Sequence, residues 1–119
     1  MHYSLLIYQT PSQFADRIDP ARRDALNQAF GRYVGALKDA GVLRTTLGIE
    51  PPDTTTTVRS GGDTPRVEAG PHADSKSQLG GVCVIEVSDH DAAIAWAKRA
   101  PFDHCEAIDL RPTRIVTSA

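Results

Sequence analysis

Leu26, Phe30, Tyr33, Val34 and Leu37 recur at three- and four-residue steps, so a helix through them carries one apolar face that has to be buried. Asp19-Pro20 supplies an N-cap followed by proline at the first helical position, and Gly41 stops the helix. The flanking segments read as strands. Tyr3 to Gln9 is rich in aromatic and branched residues and ends at Thr10-Pro11. Val42 to Ile49 alternates and is closed by Pro51-Pro52. The first half of the chain is therefore one strand–helix–strand unit.

The second half repeats that order after an insertion. Thr54 to Ser60 and Pro65 to Glu68, joined through Gly61-Gly62-Asp63, predict an exposed hairpin. A loop follows from Ala69 to Gly81, with one helical turn near Ser75 to Leu79. Val82 to Val87 reads as a strand. Ser88 and Asp89 are candidate N-caps of a helix through Ala100, packed by Ile94, Trp96 and Ala97 and bounded by Pro101. Glu106 to Leu110 is the last strand, with a tail towards Val116. The whole, residues 1–119, is expected to be a single α+β domain. Its expected form is a ferredoxin-like β-α-β-β-α-β sandwich with an inserted hairpin and main strands in the order 4-1-3-2. Leu5 and Ile7 oppose Leu6 and Tyr8, while Cys83 and Ile85 oppose Val82 and Val84, so both sheet faces are apolar. Two helices cover only one face, which predicts a homodimer with sheets packed face to face, a dimeric α+β barrel.

Charge and composition narrow the function classes. The net charge of −2 is scattered, with no basic patch for a phosphate backbone, which argues against nucleic acid. No apolar run reaches membrane-spanning length, and the first eight residues lack the positive flank of a signal peptide. Cys83 and Cys105 sit in apolar settings without metal spacing, as buried thiols of a cytoplasmic protein; a disulfide is the alternative.

Chemistry concentrates between Ala69 and Gly81. An imidazole is the side chain suited to proton transfer near neutral pH, so His72 is the candidate general acid or base, with Asp74 placed to orient it. Lys76 and Gln78 are candidate ligand-binding groups. An antiparallel arrangement brings the end of the first strand, at Tyr8, beside this loop and beside His104, so Tyr8 and His104 complete the expected pocket mouth. The plain alternative is that His72, Asp74 and Lys76 are solvated loop residues. His72-Ala-Asp74 could offer two metal ligands, but no spacing such as His-Glu-x-x-His occurs, so no metal is expected. No Gly-x-Ser-x-Gly elbow and no Gly-x-Gly-x-x-Gly loop is present, and no organic cofactor is expected.

Several stretches resemble one family. These are Tyr3-Ser-Leu-Leu-Ile-Tyr8, Leu37-Lys-Asp-Ala-Gly41-Val-Leu43, Gly70-Pro-His-Ala-Asp-Ser-Lys76 with Gln78-Leu-Gly-Gly81, and Asp91-Ala-Ala-Ile-Ala-Trp-Ala97. Together they resemble the YCII-related family, in particular its branch marked by an Asp-Gly-Pro-Phe motif. The resemblance implies a dimeric α+β barrel with a small pocket near the marked loop. It also implies activity on small aromatic compounds, including dehydrochlorination, and a His–Asp pair. The chain departs from the pattern at two places. Ala69 and His72 stand where the motif has aspartate and phenylalanine, and the stretch Ala25 to Phe30 lacks the family's histidine. The expected function is a small cofactor-independent enzyme, lyase- or isomerase-like, acting on a small anionic or aromatic compound. The alternative is a non-catalytic ligand-binding or protein-interaction module.

Overall fold

The computed structural model describes residues 1–117. Its elements are β1 (His2–Gln9), α1 (Pro11–Asp16), α2 (Arg23–Asp39), β2 (Leu43–Gly48), β3 (Thr56–Arg59), β4 (Arg66–Ala69), β5 (Gln78–Glu86), α3 (His90–Ala97) and β6 (Ala107–Thr113), with a 3-10 turn at Pro52–Thr54. Four strands form one antiparallel sheet in the order β2-β5-β1-β6. With the β3–β4 hairpin left out of the count, this is the expected 4-1-3-2 order. The hairpin is a separate two-stranded sheet with Val58 opposite Val67.

Local chemistry moves several boundaries from their expected positions. Thr10-Pro11 opens α1 as well as closing β1. The Gln13 amide donates to Thr10 Oγ1 at 3.2 Å, the Thr10 amide donates to Gln13 Oε1 at 2.9 Å, and Pro11 sits at the first turn. Asp19 does not cap α2. Its carboxylate accepts from the Ala21 amide at 2.9 Å in a preceding turn, and the helix begins at Arg23 without a side-chain cap. Asp89 caps α3 through the Ala92 amide at 2.8 Å, and the regular helix ends at Ala97 rather than Ala100. The expected helical turn at 75–79 is absent. Lys76 and Ser77 form a bend, with the Ser75 hydroxyl donating to the Ser77 carbonyl at 2.7 Å, and β5 has begun by Gln78.

The core lies between the sheet and the helix layer. Tyr3, Leu5 and Ile7 of β1 and Cys83 and Ile85 of β5 meet Tyr33 and Leu37 of α2 and Ala93 of α3. Leu5, Leu37 and Ile85 are completely buried. Tyr33 ties the helices together, its hydroxyl donating to the Trp96 carbonyl at 2.8 Å. On the other face Leu6, Tyr8, Val82 and Val84 are only half-buried, and Leu47 is 55% exposed. Register places Leu6 and Leu47 on either side of Val82, so these three form an apolar stripe across the uncovered face.

Replacing Tyr33 by Phe removes the α2–α3 hydrogen bond, while the Trp96 carbonyl keeps its bond from the Arg99 amide at 3.1 Å. The expected loss is about 0.5–1.5 kcal/mol. It should appear in urea unfolding as a lower midpoint with an unchanged slope.

Candidate functional site

β1 ends in an unusual residue for a core strand. Gln9 continues the inward alternation of Tyr3, Leu5 and Ile7, and only 1% of it is exposed. A buried amide has to be satisfied on both ends. Its nitrogen donates to the His104 carbonyl at 2.9 Å, and its oxygen accepts from Arg17.

Arg17 is delivered by the short helix α1, at whose C-terminal cap it lies. The guanidinium rests 4.9 Å from the centre of the buried Phe14 ring. Nε and Nη2 donate to Gln9 Oε1 at 3.1 and 2.6 Å, Nη2 donates to the Gly80 carbonyl at 2.5 Å, and Nη1 donates to the Ile49 carbonyl at 2.6 Å. These four contacts occupy four of the five N–H bonds of a guanidinium and leave one on Nη1. All the partners are neutral oxygens. Desolvation pulls the Arg17 pKa down and the Glu50 charge nearby opposes that shift, yet a guanidinium stays cationic. Gly80 is required here, because a Cβ would collide with Gln9 Oε1 and lie 3.0 Å from Arg17 Nη2.

Gln9 and Arg17 form the polar end of a cavity of about 300 Å³ between the sheet and α2. Leu26, Phe30 and Val34 of α2 supply its apolar wall, and Thr46 and Cys83 line the sheet side. An apolar cleft with a few converging polar groups is the usual form of a small-molecule site. Its remaining titratable side chains are held protonated. Burial pushes the Tyr33 phenol well above its ordinary range. Burial also raises the Cys83 thiol, against a lowering contact with Thr46 Oγ1 at 3.3 Å.

The residues singled out from the sequence are distributed over several surfaces. Tyr8 pairs with Leu79 of β5 and Ala107 of β6, so its end of β1 does lie beside both strand starts. It shares a shallow surface on that edge with Lys76 and Glu106. Gln78 folds back on the loop, its side-chain nitrogen donating to the carbonyls of Ala73 and Ser75 at 2.8 and 2.7 Å. His72 is exposed and turned to the hairpin, where Nδ1 meets Arg59 Nη1; Arg59 also pairs with Glu68 at 2.8 Å. A guanidinium only donates, so Nδ1 accepts and the ring proton is on Nε2. Asp74 is exposed beside it in sequence. His104 lines a different cavity, against α2. None of these six lines the Gln9–Arg17 cavity. Among the described residues no group of three or more His, Cys, Asp or Glu could hold a metal, and no helix is long and apolar enough to cross a membrane.

Sequence reasoning passed over Gln9 and Arg17. One signal was available: a glutamine at an inward position of an apolar strand needs a polar partner nearby. The cysteines are free and buried, which excludes the disulfide alternative. Burial pushes the Cys105 thiol up to about 11 from an ordinary 9.0. A raised folded-state pKa gives stability that is complete below the unfolded value and disappears as pH rises through the folded one. Urea midpoints should therefore fall between pH 9.0 and about 11, and fall less in Cys105→Ala.

Known proteins supply a frame for this geometry. The chain belongs to the YCII-related domain family, whose model matches residues 1–113. Curated protein sequences give no significant match. Among solved structures, the chain is similar to 5-chloro-2-hydroxyhydroquinone dehydrochlorinase (TftG) from Burkholderia phenoliruptrix in complex with 2,5-dihydroxybenzoquinone. The TM-score is 0.53 at 16% identity, over 96% of this chain and 94% of that one.

Proposed function

We propose that this YCII-related protein holds a small oxygenated compound, anionic or aromatic, in the cavity between the sheet and α2, and acts on it as a lyase- or isomerase-like enzyme without an organic cofactor. The observation that carries this reading is Arg17, a partly buried cation whose four hydrogen bonds all go to neutral oxygens, with one N–H left over at the polar end of an apolar cavity. Such a preorganised donor favours negative charge developing on a ligand oxygen, as in enolate or phenolate formation. The dimensions suit a single ring, and the dehydrochlorinase to which the fold is similar was solved with a dihydroxybenzoquinone. The assignment of proton transfer to His72 and Asp74, with Tyr8, Lys76, Gln78 and His104 as binding groups, is a separate part of the proposal: none of these six lines the cavity, so it requires the loop and the strand edge to close towards a ligand held there.

One observation favours the non-catalytic alternative, a module that only binds. Tyr33 and Cys83 are held protonated, and neither an imidazole nor a carboxylate lines the cavity. Titration with hydroxylated benzoquinones and chlorinated hydroquinones, followed by turnover assays, separates the two readings. Saturable binding that Arg17→Gln weakens at least about tenfold supports the cavity, since losing a charge-assisted hydrogen bond costs roughly 1.5–3 kcal/mol. Turnover that falls in His72→Ala and Asp74→Ala supports the enzyme; binding without turnover supports the module. Binding unaffected by Arg17→Gln removes both.

The uncovered sheet face belongs to the same proposal. Leu6, Val82 and the 55%-exposed Leu47 support pairing with a second copy, sheet to sheet, as a dimeric α+β barrel. Sedimentation at micromolar concentration should show a dimer, and Leu47→Glu a monomer. A wild-type monomer overturns the assignment.

A further inference from the structure

Tyr33 is a wall shared by two cavities. The second, of about 460 Å³, opens between α2 and the connection from α3 to β6. Its floor is low because α2 presents Ala25, Ala29 and Ala36 there, and two guanidinium groups, Arg32 and Arg99, line it. Neither forms an ion pair among the described residues. Arg99 is held by stacking, its Cζ 4.3 Å from the Trp96 ring centre. Stacking uses the face of the guanidinium and leaves its N–H edge available.

His104 lines the same cavity and supplies an independent observation. Its backbone is fixed at both ends: the amide donates to the Pro101 carbonyl at 2.9 Å, and the carbonyl accepts from Gln9 Nε2 at 2.9 Å. Its Nδ1 is buried with no hydrogen-bond partner. A buried polar atom without a partner is costly, so a small turn of the ring that brings Nδ1 to a ligand oxygen in the cavity would relieve that cost. Asp103 is the one carboxylate among the lining residues, so the two arginines leave the site with a net positive charge.

We propose that this second cavity binds a compact oxyanion, a carboxylate or a phosphate, with Arg32 and Arg99 donating to its oxygens and His104 Nδ1 completing the set. The site lies across Tyr33 from the Gln9–Arg17 cavity and does not depend on a ligand being bound there. Arg99 stacks on the only tryptophan of the chain, so occupancy reports directly on Trp96 fluorescence.

The test is a fluorescence titration of the full chain at constant ionic strength, with phosphate and malonate as separate arms and chloride as the control. The expected result is a saturable change with at least one oxyanion and none with chloride; the stronger arm identifies the class. Arg32→Ala should weaken the response by at least about tenfold, given the strength of charge-assisted contacts. His104→Gln should weaken it less, and Arg44→Ala, at an exposed position that pairs with Glu86 and lines neither cavity, should leave it intact. Arg32 is exposed, so its variant should retain the fold, which circular dichroism checks. A response equal to that of chloride, or one kept in full in Arg32→Ala, overturns the proposal.

Discussion

A single guanidinium closes one end of this sheet. Arg17 reaches the buried amide of Gln9 in β1, the Gly80 carbonyl in β5 and the Ile49 carbonyl just past β2, so three neighbouring chain segments are joined through one side chain. The arrangement imposes conditions on distant parts of the sequence. α1 must follow β1 immediately to return Arg17 across the strand ends, and the Thr10–Gln13 capping box starts it there. Position 80 must be glycine for the amide and guanidinium to meet. Gln9 must be satisfied at its other end, and the His104 backbone does this. The cavity between the sheet and α2 follows from these conditions, because the polar knot holds its end open against an apolar wall.

The same amide links the two cavities. Gln9 lines the first and fixes the backbone of His104, which lines the second; Tyr33 contributes to both walls. The uncovered side of the sheet is simpler. Its stripe of Leu6, Val82 and Leu47 is an apolar surface without a helix over it, while Asp109 and Arg111 on the edge strand are exposed. The sheet is therefore asymmetric, closed by helices on one side, and on the other carrying an apolar stripe that gives way to Asp109 and Arg111 at the β6 edge.

The architecture was legible because it rests on periodicity. The 26–37 helix face, the alternation of β1 and β5 and the glycine turn of the hairpin each report a local rule, and together they specify the order β2-β5-β1-β6. The misplaced boundaries have equally local causes. Thr10-Pro11 carries a helix start as well as a strand end, and Asp19 spends its carboxylate on a turn. The site was less legible. Reactive side chains cluster between His72 and Gln78, but reactivity of type says nothing about direction, and in the fold His72 turns to Arg59 while Gln78 turns back on its own loop. Gln9 and Arg17 lie eight residues apart on two elements, and Gly80 lies far along the chain. No spacing rule connects them; only the packed structure does.

The central claim is that a ligand enters the cavity under Arg17. The most direct measurement is a titration followed by two-dimensional NMR of the arginine Nε–H and the methyl groups, with 2,5-dihydroxybenzoquinone as the probe. The account predicts that the Arg17 Nε–H resonance and the methyls of Leu26 and Val34 shift together and saturate, while those of Leu6 and Val82 on the opposite face stay in place. Shifts confined to the loop around Lys76 or to the open face, with Arg17 unmoved, would contradict it.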